Sequence, residues 1–167
     1  MITVRDAAPR GAGGWVEESK RWYEEGLRFT CQACGDCCRA HGDYAYVYLA
    51  ERDVMDISAF LGLTVEAFME AYCTVDENDW IHFSDLSGDC RFMGEEGRCT
   101  IYPVRPKQCA TWPFWSENLE DRSVWEGPVA GCCPGIGKGR LYSADEADAI
   151  AADNDHHYFG DEQEEAL

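Results

Sequence analysis

Between residues 51 and 72 apolar side chains recur at helical spacing. Val54, Ile57, Phe60 and Leu61 return every three or four positions, which predicts a helix over Glu51 to Leu61. Gly62 stops it, and Thr64 can cap a second helix whose stripe is Val65, Phe68, Met69 and Tyr72. This pair reads as scaffold. Two stretches carry the period of a strand instead. Tyr44 to Tyr48 alternates large and smaller residues, and Trp80 to Phe83 suits a short strand. Trp15 to Glu25 suits a short helix with Trp15, Trp22 and Tyr23 near one face, ended by Gly26. Ser143-Ala-Asp-Glu146 is a capping-box pattern that opens a short acidic helix, Ala144 to Ala152. The first 14 residues and the closing DEQEEAL read as loose ends. No internal repeat interrupts the pattern.

From Ser87 to about Gly139 neither period holds, and the chain becomes dense in Gly, Pro and Cys. So long an irregular stretch needs an organiser other than a ladder or a helix, and bound metal supplies one. The expected fold is therefore a small irregular α+β domain, stapled by metal, with two or three short helices and a few short strands. Residues 1–26 form a tail with a short helix, 27–140 the cysteine-cluster metal-binding domain, and 141–167 an acidic helix and tail.

Charge narrows the partners. The 167-residue chain carries a formal net charge of -18, which repels phosphate backbones and anionic lipid. Neither nucleic acid nor a membrane is expected as a partner. The N-terminus lacks the apolar core of a signal peptide, and no stretch is long and apolar enough to span a bilayer. The expected compartment is the reducing cytoplasm, where ten cysteines are not expected to pair as structural disulfides. The adjacent Cys37 and Cys38 add a geometric objection, because a vicinal bond is strained.

The thiols then become the candidate chemistry. Cys31, Cys34 and Cys37 follow C-x2-C-x2-C, a run that lets successive thiolates turn toward one centre around Gly35. Cys38 faces another way from Cys37, which suits two neighbouring centres or one multinuclear centre. Cys90, Cys99 and Cys109, and then Cys132 and Cys133, are spaced too widely for a zinc knuckle and suit ligands gathered from separate loops. Arg39, Arg91, Arg98, Arg105 and Lys107 lie near these cysteines and can offset thiolate charge. Their alternative role is ordinary pairing with surface carboxylates. His41 is a candidate ligand or proton donor, with solvent exposure as its alternative. His82 is expected to point out of its strand, and His156-His157 to sit in the acidic tail without a role. Trp112, Phe114 and Trp115 read as core, with shielding of the centre as the alternative. Asp36 and Asp89 suit loop caps. No phosphate loop, nucleophile elbow or HExxH metal motif is present.

CQACGDCC, then GDC with RCTIYPVRPKQC and WPF, then CPG, resemble the YkgJ-type cysteine-cluster family, the CxxCxxCC zinc- or iron-chelating domain. The resemblance spans roughly residues 27–137. It implies a bound metal centre, iron–sulfur or zinc, and in some members an oxidoreductase label. One branch, in longer chains, includes flagellin lysine N-methylases. Matched by position, the family's ligands would be Cys31, Cys34, Cys37, Cys38, Cys90, Cys99, Cys109 and Cys133. Ala110 stands where the family often has Arg. Cys73 and Cys132 are extra; Cys73 reads as a small buried residue, and Cys132 stays open. Eight thiolates make two four-sulfur sites, and softness suits zinc and iron–sulfur alike. The ferredoxin-like start and the family label favour an iron–sulfur cluster, with Zn2+ as the alternative. The functional expectation is a redox or electron-transfer role beside an unidentified protein or redox partner. The alternatives are a non-catalytic zinc module for protein interaction, or metal handling. No residue is assignable as catalytic.

Overall fold

A computed structural model describes residues 21–39, 46–84 and 88–160. It is a small α+β domain with two antiparallel sheets and helices packed around them. Strand β1 (Leu27–Phe29) pairs with β5 (Arg140–Tyr142), Leu27 opposite Tyr142. The second sheet has the order β2 (Tyr48–Leu49), β4 (Ile81–Phe83), β3 (Cys73–Val75).

The two scaffold helices form where the apolar spacing places them. Helix α1 spans Glu51–Leu61 and α2 spans Val65–Tyr72. Asp53, three residues past the cap position of α1, accepts from the Ala50 N–H at 3.0 Å and satisfies a donor the helix cannot use. Gly62 closes α1 in the left-handed region at φ 71°, a conformation other residues adopt at a cost. Thr64 Oγ1 accepts from the Ala67 N–H at 3.2 Å and caps α2. Val54, Ile57 and Phe68 turn inward and join Leu49, Phe83, Phe92 and Ile101 in one core.

A second core gathers Tyr23, Leu27, Phe114, Leu119, Trp125 and Val129 around the long helix α7 (Ala144–Phe159). Ser143 and Glu146 cap α7 reciprocally. The capping box marks its start, but the helix runs to Phe159, beyond the expected end at Ala152. Its inward face carries Ala147, Ala151 and Asn154, all buried. These small residues let the helix approach closely, and that packing carries it past its acidic stretch.

Four expectations are corrected. Residues 21–25 form turns, not the end of a helix, before Gly26 at φ 87°; Trp15 lies outside the described residues. The strand expected over Tyr44–Tyr48 is Tyr48–Leu49, with Tyr44 and Ala45 outside the described residues. The stretch after Ser87 contains short helices: α3 (Lys107–Thr111), α4 (Ser116–Leu119), α5 (Arg122–Val124), a π-helical turn (Trp125–Val129) and α6 (Ala130–Cys132). Each is too short to show a period, so pattern reading passes over it. His82 is buried, not outward-facing. Its strand β4 lies in the middle of its sheet, and its ring lies edge-on to Tyr46 and Tyr48 with Nδ1 2.8 Å from the Phe83 carbonyl.

Candidate metal centre

Four chain segments carry the cysteines, and backbone contacts bind them to one another. The first runs from Cys31 to Cys38. Gly35 at φ 75° turns it into a 3-10 turn, Asp36–Cys38. The second is a tight hairpin over residues 90–100, closed by Thr100 N–H to the Phe92 carbonyl at 2.7 Å and a bridge between Met93 and Cys99. The two dock directly: the Cys90 N–H donates to the Cys38 carbonyl at 2.7 Å. Gly35 and Gly97 meet so closely that a Cβ on Gly35 would collide with the Gly97 carbonyl oxygen. That contact explains the glycine in CGDCC better than loop bending alone.

The third segment is α3, which carries Cys109. Its N-terminal donors are held from outside the segment: Lys107 N–H by Asp53 Oδ1 at 3.1 Å and Gln108 N–H by the Tyr158 hydroxyl at 2.9 Å. Asp53 also faces His157 Nε2 at 2.9 Å and the Tyr158 hydroxyl at 3.4 Å. One buried carboxylate thus ties together the start of α1, the start of α3 and the end of α7. The sequence reading set His157 aside as tail; the signal for this clamp is the α7 face continuing from Ala151 and Asn154 to Tyr158. The fourth segment carries Cys132 and Cys133. It is fastened to the first through Thr30 N–H donating to the Gly135 carbonyl and a bridge between Phe29 and Ile136.

All ten cysteines are free thiols, so no pairwise disulfide competes for the sulfurs. At the centre the Cys38 thiol stands beside those of Cys37 and Cys90, and the three share protons as one group. Within that group the proton stays on Cys38, whose pKa rises, while Cys37 and Cys90 are lowered. Burial pushes the Cys109 thiol up, and the neighbouring Cys90, Cys37 and Cys99 push it further. Burial likewise raises Cys99, with Cys90 and Cys37 among its neighbours. Cys132 is raised by burial and feels Cys133 and Cys37.

The structure therefore brings together Cys37, Cys38, Cys90, Cys99 and Cys109, with Cys132 at their border and Cys133 beside it. Cys31 and Cys34 stand exposed in the first loop, and Cys37 is exposed as well even though it reaches the group. Among the described residues, no three or more Cys, His, Asp or Glu side chains close into a finished ligand set. His41 lies outside the described residues. Cys73 is half-buried in β3, with its thiol pushed up to about 11 by burial.

Two of the cations near the cluster, Arg39 and Lys107, are paired with carboxylates. Asp36 and Asp89, expected as loop caps, both face Arg39, at 3.5 and 3.3 Å. Lys107 pairs with Asp153. Arg105 lies over the Tyr102 ring and lowers Cys99 and Cys109, though burial outweighs it at both.

Cys37, Cys38, Cys90, Cys109 and Cys132 line a single cavity of about 600 Å³. The cavity lies between the two cores: Phe83 reaches it from one, Val129 and Trp112 from the other. The five thiols on this wall are soft donors, which suit zinc or an iron–sulfur cluster.

The family model described as "CxxCxxCC: putative zinc- or iron-chelating domain" matches residues 30–149, more than half of the chain. The chain belongs to that family. The CxxCxxCC match includes every cysteine of the four segments and the first turns of α7. Uncharacterized protein MJ0661 of Methanocaldococcus jannaschii is 25% identical over 93 residues, 55% of this chain and 48% of that protein. This CxxCxxCC chain thus spans about half the length of that curated relative. No solved structure matches it. Among the described residues, no helix is long and apolar enough to cross a membrane.

Proposed function

We propose that this CxxCxxCC protein carries an iron–sulfur centre and serves electron transfer or a redox-linked reaction with a protein partner. The ligand set is drawn from Cys31, Cys34, Cys37, Cys38, Cys90, Cys99, Cys109 and Cys133, with Cys132 as a competitor for the last place. The observation that carries the reading is that Cys37, Cys38, Cys90, Cys109 and Cys132, from four separate segments, line one cavity. Thiols crowded this way repel one another once deprotonated, and a bound cation removes that penalty.

Two features support iron–sulfur over zinc. The C-x2-C-x2-C run is the one that wraps a cluster in ferredoxins. Trp112 and Trp115 wall the cavity beside Cys109, and apolar walls set the dielectric on which a redox potential depends. Cys37 and Cys38 are adjacent, which suits a multinuclear centre of either metal. When bound, a cluster supplies one-electron chemistry; the chain supplies thiolates, exclusion of water and a fixed approach for the partner. The free state of all ten thiols fits a reducing cytoplasm.

The test is anaerobic purification followed by metal and acid-labile sulfide analysis and a visible spectrum. The expected result is a brown protein containing iron and inorganic sulfide. A colourless protein holding about two zinc ions per chain would replace this reading with a zinc-stapled interaction module. Metal that exchanges readily with a weak chelator would point to metal handling instead.

A further inference from the structure

A second recess shares no lining residue with the cysteine cavity. It is an open groove of about 660 Å³ between the start of α1, the β3–β4 hairpin and the end of α7. Met55, Trp80, Ile81 and Phe159 give it an apolar surface. Met55 is 55% exposed and Phe159 53%, high values for large apolar side chains that share one groove. Trp80 meets Phe159 edge to face at 5.4 Å and also contacts the Tyr48 ring, so the aromatic wall has a fixed shape. His157 and Tyr158, which hold the start of α3 through Asp53 and the Gln108 N–H, line the groove as well.

The uncompensated charge on this groove is of one sign. Glu51 and Asp79 line it, both are exposed, and among the described residues neither is paired with a cation. Asp79 is fixed by its turn: it sits at φ 63°, and Asp76 accepts from the Asn78 and Trp80 N–H groups on either side at 2.8 and 3.0 Å. Arg52, the arginine in the wall, is already neutralised by Asp56 at 2.8 Å. The buried Asp53 occupies His157. Gly160 also lines the groove, and the seven residues that follow it in the chain, DEQEEAL, carry four carboxylates. The field here repels an anion, and it makes that acidic segment a poor occupant. A cation on an apolar body is matched twice, by carboxylates for its charge and by aromatic rings for its body. Arginine suits both, because its planar guanidinium pairs with carboxylates and stacks on indole and phenyl faces.

We propose that this groove docks a protein partner through an extended segment in which arginine alternates with apolar residues. The apolar side chains lie against Met55, Trp80 and Phe159, and the guanidinium groups meet Glu51 and Asp79. An open groove suits a segment whose two ends run on into a larger protein, whereas small molecules favour sites that bury most of their surface. The docked partner lies against the side chains that hold the start of α3, the helix of Cys109. The inference stands on the groove and its unpaired carboxylates, and it requires neither iron nor zinc in the cysteine cavity.

The probes are acetyl-Leu-Arg-Leu-Arg-Leu-amide and the same peptide with citrulline, a neutral isostere, at both arginines. Each is titrated calorimetrically into the purified full chain at about 0.15 M salt, which screens diffuse attraction to an acidic surface. The arginine peptide is expected to bind at one site, at least about tenfold more tightly than the citrulline peptide. Glu51→Gln combined with Asp79→Asn should remove that preference. Glu95→Gln combined with Glu96→Gln, at an exposed acidic turn outside the groove, should leave it intact. Phe159→Ser should weaken both peptides. No binding of the arginine peptide, a preference that survives Glu51→Gln with Asp79→Asn, or one lost equally in Glu95→Gln with Glu96→Gln would overturn the proposal. So would binding that appears only when Arg5 and Arg10 are both changed to Gln, since the chain's own N-terminal segment would then be the occupant. Metal and sulfide content of the same samples reports on the cysteine centre separately.

Discussion

Gly35 is the residue on which the geometry of the cysteine loop turns. It sits at φ 75°, where an L side chain costs about 1–2 kcal/mol, and any Cβ would strike the Gly97 carbonyl. Gly97 has a similar φ of 71°, but a Cβ there would stand 3.5 Å from the Cys34 carbonyl, an ordinary contact. Gly35→Ala is therefore expected to lose more stability than Gly97→Ala, and to lower metal content as well. Denaturant midpoints and metal analysis of the two variants check this; equal losses would show that the close approach does not matter. The thiols give a second prediction, for protein stripped of metal. Sharing protons with Cys38 lowers Cys37 and Cys90 to about 7 from the ordinary 9.0. Between those values the unfolded chain binds protons that the native one does not, so stability rises as pH goes from about 7 to 9. Above 9 the raised Cys38 and Cys109 retain protons that the unfolded chain has lost, and stability falls. Iodoacetamide should accordingly label Cys37 and Cys90 at lower pH than Cys38 and Cys109, as read by peptide mass mapping.

At the scale of elements, α1 and α2 behave as support for the cysteine segments. Phe68 is wholly buried between them and the β2–β4–β3 sheet, and Phe68→Ala should cost about 3–5 kcal/mol of unfolding free energy. Asp53 is a different kind of support, since it accepts from the ends of three helices. Asp53→Ala leaves the Lys107 N–H and His157 without their acceptor, which should cost about 1–3 kcal/mol. The loss should appear at α3 and the end of α7 first, as faster amide exchange at Gln108 and Tyr158; a loss spread evenly over the chain would argue against a clamp. These elements also show what a pattern reveals. The α1 and α2 boundaries were legible because stripe, cap and stop signal agree at Glu51, Leu61, Gly62 and Thr64. α3 to α6 were not, because each is three to five residues long and is held by side chains from elsewhere. The reach of α7 was hidden because its apolar face is built from alanines.

For the molecule as a whole, two cores flank a cavity into which cysteines from four segments project. The thiols themselves were legible from the C-x2-C-x2-C-C spacing. Their order of approach was not: it depends on Gly35 docking on Gly97 and on Gly135 docking on Thr30, backbone contacts with no periodic signature. For the same reason Cys132, left open by the sequence, proves to line the cavity. If metal holds these segments together, chelation should expose residues 88–139 to hydrogen exchange while α1 and α2 stay partly protected. Unchanged protection there would mean the loops stand without it. The most direct measurement is X-ray absorption at the edge of the metal found in anaerobically purified protein. Convergence of the remote thiols predicts a first shell of sulfur alone, at about 2.3 Å; a shell dominated by nitrogen and oxygen would contradict it.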